Sequence, residues 1–347
     1  RTAFLDEMRP MLLTLMLRIL EHSSQLSDGS LLGVARMLVL LTRDPRTAAS
    51  MVEQRALPLV LRPLLTRRRF QRASYQRLVI IVLRHMVESG GSLLPLLTNE
   101  LHVWMNQSSR PRPTEVSSLL KAMGHSVIRS PPTFLDAAAS QLELIEFHSM
   151  KSPTNLRPRQ GAQVPDEPAS AQAMYDAVVH MLMNDLVSVR EGTTNAPEAD
   201  ADSLISVSDA RDTYVFALLQ CLVELLSSYM GCKQSFLQYR VHGTTPVLAY
   251  FMNELVPIGF LAQYEAEELR KRMTESNWAI SVLVALATDP LPLPDATSVP
   301  DMLVSIRKAL LDALYKALRE ATQTDGQLEI KFGRLYALSD TCHRLLT

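Results

Sequence analysis

Apolar residues recur along most of this chain at steps of three and four, the spacing that gathers them on one side of an α-helix. The clearest case is Asp209 to Tyr229, where Val215, Leu218, Leu219, Leu222, Leu225, Leu226 and Tyr229 form a stripe. Asp212, Gln220, Glu224 and Ser227 take the other face. A helix of this kind needs a neighbour to cover its stripe. Strand-like alternation is almost absent, so the pattern predicts an all-α chain in which amphipathic helices pack on one another.

The same spacing predicts helices at Phe4 to Leu20 and at Ser30 to Leu41, the second with Asp28 as candidate cap. Asp44 before Pro45 is a capping residue followed by a first-turn proline, opening a short helix to Gln54. Residues 57 to 66 make another. Gln71 to Glu88 is a long helix closed by Gly90 and Gly91, and Ser92 opens one that runs to Asn106. Gln107 to Pro113 is a proline-broken turn. Helices follow at Glu115 to Ile128 and from Pro131 through Ile145 toward Met150.

Two polar stretches interrupt the pattern. Lys151 to Ala169 carries four prolines, and Glu191 to Ser208 is acidic and without periodicity. They divide the chain into a helical-repeat segment at 1–150, a Pro-rich linker at 151–170, a helix at 171–190, an acidic linker at 191–208 and a second helical-repeat segment at 209–347. That last segment holds expected helices near Lys233 to Tyr239, Thr245 to Leu255, Glu265 to Ala287, Pro300 to Thr322 and Leu328 to Leu346. Short turns between antiparallel helices are how armadillo- and HEAT-like α-solenoids are built. No fixed period is visible, which leaves degenerate repeats or a pair of globular all-α domains. Arg1 stands directly before a helical run and Thr347 directly after one, so both ends read as cut from a longer polypeptide.

Composition sharpens this picture. Of the 347 residues 47% are hydrophobic, only 12 are Gly and 6% are aromatic, which favours Leu- and Ala-rich helices over sandwiches or barrels. Net charge is -1 but unevenly placed. Residues 1–160 hold 21 Lys and Arg against 12 Asp and Glu, a balance of +9; the rest hold 14 against 24, a balance of -10. Cys221, Cys232 and Cys342 are too few for a disulfide framework, and no apolar run of about 20 residues escapes charge or proline. A reducing compartment, cytoplasm or nucleus, is the expectation, with no membrane span.

Catalytic and cofactor signatures are missing. There is no G-x-G-x-x-G, no Walker loop, no H-E-x-x-H, no G-x-S-x-G and no C-x-x-C. Cys342 and His343 next to Asp340 invite a nucleophile reading, but adjacent helical residues point about 100° apart, which separates thiol from base. Cys342 falls instead on the stripe of Leu335, Leu338 and Leu345. The eight histidines, His85 and His180 among them, are spread singly without a second ligand at metal spacing. Trp104 and Trp278 read as packing residues. No catalytic residue, cofactor or metal is expected.

One electrostatic feature is sharp: Arg62, Arg67, Arg68, Arg69, Arg72 and Arg77 cluster, with Phe70 and Tyr75 interleaved. It is open to three readings: a solvated turn, a docking patch for an acidic protein segment, or a nucleic-acid contact. The last is disfavoured because no aromatic groove or known nucleic-acid-binding motif accompanies it.

Several segments resemble a known family. Leu78 to Glu88 (LVIIVLRHMVE) followed by Leu101, and Val127 to Phe134 (VIRSPPTF), resemble a helix pair of the giant HECT-type E3 ubiquitin ligases that carry UBA and WWE domains. Asp212 to Tyr229, Glu275 to Val284 (ESNWAISVLV) and Phe332 to Asp340 (FGRLYALSD) resemble the fungal members in the same order. The resemblance covers most of 75–347 and skips both polar linkers. It implies an armadillo-like scaffold that recruits protein substrates and contacts other parts of the ligase, its HECT domain and ubiquitin-binding modules. The thioester-forming cysteine would lie outside this chain, since no segment around Cys221, Cys232 or Cys342 matches the HECT motif. The residues themselves also fit a free-standing helical-repeat adaptor or transport factor.

Overall fold

Capping chemistry sets the first helices of the computed structural model, which describes residues 2–66, 69–106, 114–145, 155–192, 207–256, 266–288 and 298–323. Helix α1 (Thr2–Glu21) is followed by α2 (Asp28–Thr42) and α3 (Pro45–Glu53). The α2 cap is Ser27 rather than Asp28: its Oγ accepts from Ser30 N at 3.1 Å, which leaves Asp28 in the first turn beside the positive end of the helix dipole. Asp44 caps α3 as expected, accepting from Thr47 N at 3.1 Å, with Pro45 at the first position. The expected helix over 57–66 is two, α4 (Leu57–Leu61) and α5 (Pro63–Thr66), because Pro63 has no N–H to continue the ladder.

The described chain is predominantly helical and divides into two compact units. One comprises Arg1–Met86 with Tyr175–Thr347, and the other Val87–Met174. Helix α6 (Arg69–Glu88) ends at Gly91, whose φ of 93° places it in the left-handed region and whose N–H bonds Glu88 O at 3.0 Å.

In the unit Val87–Met174, α7 (Leu93–Asn106) lies against α10 (Pro131–Gln141). Leu97, Leu101, Leu119, Met123, Phe134, Ala137, Leu142 and Leu156 close its core, with Trp104 packed at the edge. The expected helix Glu115 to Ile128 is broken into α8 (Val116–Ala122) and α9 (Gly124–Arg129) at Met123. Glu88 is buried, and Arg129 pairs with it, Nε to Oε2 at 3.0 Å, as a buried carboxylate requires.

Three short strands in this unit were not expected. β1 (Thr114–Glu115), β2 (Leu142–Leu144) and β3 (Asn155–Pro158) form an antiparallel sheet in the order β1, β3, β2. The predicted continuation of the Pro131 helix to Ile145 therefore stops at Gln141. Leu142 turns to an extended backbone and is buried, whereas Leu144 is 66% exposed, the alternation of a strand. Glu143 stands opposite Arg157, and the two carry an ion pair at 2.6 Å.

The other unit continues with α11 (Ala169–Glu191), α12 (Val207–Ser228), α13 (Met230–Gln238) and the hairpin β4 (Arg240–Val241) and β5 (Thr245–Pro246). Then come α14 (Val247–Tyr250), a π-helical turn at Phe251–Leu255, α15 (Ala266–Ala287) and α16 (Val299–Gln323). Helix α12 packs most extensively on α15 and also meets α5 and α13. Its whole expected stripe from Val215 to Tyr229 is buried, as are Tyr214, Ala217 and Cys221. The expected outer face is only partly solvated. Gln220 accepts from Gln76 at 2.7 Å and Glu224 pairs with Arg84 at 3.2 Å, so α6 runs along it.

Close ring packing completes this core. Phe236 and Phe251 meet edge to face at 5.3 Å, and Tyr175 lies 6.1 Å from Tyr229. The predicted segment Leu328 to Leu346, with Cys342, and the turn Gln107 to Pro113 lie outside the described residues.

Candidate protein-interaction site

The described cysteine thiols lie away from solvent. Cys221 and Cys232 are free thiols, both buried. Burial, reinforced by the charge of Glu224, pushes the Cys221 thiol up to about 12, so the thiolate that a transfer reaction needs is not formed near neutral pH. Native protein is accordingly expected to leave Cys221 unalkylated by iodoacetamide, with labelling appearing on unfolding, and mass spectrometry of the digested protein checks this. Rapid native labelling of Cys221 would contradict the burial. Among the described residues no cluster of three His, Cys, Asp or Glu could hold a metal ion. No single described helix is long and apolar enough to cross a membrane.

The arginine cluster is only partly described. Arg62 is half-buried between α4 and α5, and its guanidinium reaches Glu21 O at 3.4 Å. Arg77 is exposed on α6. Arg69 and Arg72 lie in the first turns of α6, and Arg67 and Arg68 lie outside the described residues. His85 is tied to Thr42, Nδ1 to Oγ1 at 2.8 Å, which gives it a structural bond across two helices.

Sequence reasoning missed a surface cleft of about 420 Å³ in the unit containing α3, α4 and α11. Val52, Arg55 and Pro58 form one side; Ala177, His180, Met181, Asn184, Asp185 and Ser188 form the other. The second set recurs at steps of three and four along α11. That signal was present in the sequence, but mixed polarity hid it behind the apolar stripe of Tyr175, Val178, Val179, Leu182, Met183 and Leu186.

Polar groups in the cleft are held in place from behind. Tyr239 donates its hydroxyl to Asn184 Oδ1 at 2.6 Å, and Tyr214 donates to Asp185 Oδ2. The Tyr239 ring lies 5.3 Å from that of His180, whose Nε2 is buried without a hydrogen-bond partner among the described residues. Burial raises the Asp185 carboxyl above the usual carboxylate range, and the bond from Tyr214 offsets part of that rise.

A raised carboxyl binds its proton more tightly in the folded than in the unfolded chain. Its contribution is therefore most favourable below the ordinary carboxylate range and declines as pH rises through the raised value. Asp185→Asn keeps an acceptor for Tyr214 and abolishes the titration. The variant is expected to gain stability relative to the parent chain as pH goes from about 4 to 7 in urea melts. A pH-independent difference would contradict this assignment.

In the last turn of α11, Arg190 pairs with Glu275 and donates to Glu254 O at 3.0 Å, and Arg272 lies 3.6 Å from the same carboxylate. Burial lowers the Arg190 pKa. The side chains of this pair are largely buried, and they tie α11 to α15 and the π-helical turn.

Comparison with known proteins supplies what geometry alone does not. No protein-family model matches the chain. The E3 ubiquitin-protein ligase ptr1 of Schizosaccharomyces pombe is 25% identical over 335 residues, covering 91% of this chain and 10% of that protein. The E3 ubiquitin-protein ligase TOM1 of Saccharomyces cerevisiae is 24% identical over 362 residues, covering 93% and 11% respectively. A probable E3 ubiquitin-protein ligase TOM1 of Eremothecium gossypii is 21% identical over 355 residues, covering 92% and 11%. The chain spans about a tenth of the length of these relatives, and along almost all of its own length it is similar to one segment of E3 ubiquitin ligases.

Proposed function

We propose that this chain is a non-catalytic scaffold and substrate-recruiting segment of a giant HECT-type E3 ubiquitin ligase. The observation that carries the reading is the similarity of over nine-tenths of the chain to proteins named as E3 ubiquitin ligases. The buried, protonated Cys221 accords with chemistry carried out elsewhere in such a ligase. Consecutive helices joined by short turns and packed on one another, such as α1 with α2 and α2 with α3, accord with the helix pairs from which an armadillo-like solenoid is assembled. In that arrangement the segment raises the effective concentration of a bound protein substrate near the ubiquitin-loaded cysteine and leaves the transfer itself untouched. Free buried thiols suit a reducing cytoplasm or nucleus.

A discharge assay tests the chemical half of this reading. Incubated with ubiquitin-charged E2, the isolated chain is expected to form no reducible ubiquitin adduct. An adduct on Cys221, Cys232 or Cys342 would overturn it.

A further inference from the structure

Arg55 occupies a place that favours glycine. Helix α3 ends in a left-handed turn: Arg55 has φ 50°, its N–H bonds Val52 O at 3.0 Å, and Ala56 N–H bonds Met51 O at 3.0 Å. These two bonds are the Schellman termination, in which the left-handed residue is ordinarily glycine because a Cβ there is crowded. Among the described residues the exposed Arg55 guanidinium has no ion-pair or hydrogen-bond partner, so nothing local compensates the strain. The turn also fixes where the side chain emerges, at the wall of the 420 Å³ cleft. Strained residues gather at binding sites.

Around Arg55 the cleft offers apolar surface and held polar groups. Val52, Pro58, Ala177 and Met181 supply the apolar surface. Asn184 commits its oxygen to Tyr239, which leaves its amide N–H groups as donors, and Asp185 is anchored through Tyr214. We infer that this cleft docks a short acidic segment of a partner protein, with a carboxylate on Arg55 and the adjoining apolar side chain on the Val52, Ala177 and Met181 surface. A carboxylate meets the planar guanidinium with two parallel hydrogen bonds. Asp185 and Asn184 take the N–H and C=O groups of the extended backbone. Asp185 also sets the direction, since its charge repels an acidic side chain from its own end of the cleft.

The inference deepens the reading of the chain as a recruiting segment and rests on it for its biological meaning. Binding by the isolated chain is measured without ubiquitin transfer, so each can fail alone. The probe is a fluorescein-labelled, terminally blocked Ala-Leu-Asp-Glu-Leu-Ala peptide followed by fluorescence polarisation, with the same peptide bearing lysines in place of both acids as comparison. The intact 347-residue chain is expected to bind the acidic probe saturably and the lysine probe not at all.

Arg55→Gly should weaken acidic-probe binding about tenfold or more, yet keep or raise Tm, by about 2–4 °C, because glycine relieves the left-handed strain. Ala177→Phe, which fills the cleft, should abolish binding by another route. The proposal is overturned by no saturable binding to the intact chain, by equal binding of the lysine probe, or by undiminished binding to Arg55→Gly.

Discussion

Gly231→Ala is expected to lower stability by about 3 kcal/mol or more, although Gly231 lies in a helix where alanine ordinarily gains about 1 kcal/mol. A Cβ at this position would stand 2.1 Å from two ring carbons of Tyr175, far inside any real contact. Tyr175 is fully buried and touches Tyr229, so its ring has no solvent into which to retreat. Overlap therefore outweighs propensity. Gly33 provides the opposite case: it lies in α2, and nothing is within 4 Å of an added Cβ. Gly33→Ala should stabilise by up to about 1 kcal/mol. Thermal melts of the two variants should move in opposite directions, and a shift of equal sign in both would show that the α13 approach to α11 is wrongly assigned.

Leu222→Ala is expected to cost about 2–5 kcal/mol. Leu222 is wholly buried mid-way along α12, so the lost methyls leave a cavity that the surrounding α5, α13 and α15 side chains fill only in part. Glu224, two residues on, pairs with Arg84 at 3.2 Å with both side chains more than a third exposed, and such a pair contributes no more than about 1 kcal/mol. Denaturant titration of Leu222→Ala and Glu224→Ala should therefore differ severalfold. Losses of similar size would mean that α12 presents another face to the core.

What was legible in the sequence follows the length of each pattern. The 22-residue α12 and the α15 and α16 helices repeat their apolar spacing over several turns, and their boundaries agree with expectation to within a few residues. Asp44 with Pro45 was readable because capping and first-turn chemistry are local. Short elements were not. Leu142, Glu143 and Leu144 fit a helical or a strand period equally well, and only the pairing with residues 155–158 decides for the strand. The choice of Ser27 over Asp28 as cap turns on a single residue's backbone angle.

The cleft stayed hidden for a different reason. Its two sides, 52–58 and 177–188, lie more than 100 residues apart, and no local pattern joins them. Arg55 was equally silent, since a left-handed arginine leaves no trace in composition. Conversely, the arginine cluster was conspicuous in the sequence because its members are neighbours in the chain.

The most direct test of the scaffold account uses a full-length ligase carrying this segment, compared with the same protein lacking it. Formation of the ligase's own ubiquitin thioester serves as the control that the catalytic part remains folded. The account predicts that thioester formation proceeds at an unchanged rate while ubiquitination of protein substrates captured by the intact ligase falls about tenfold or more. Substrate ubiquitination that survives the deletion undiminished, or a thioester that no longer forms, would contradict it.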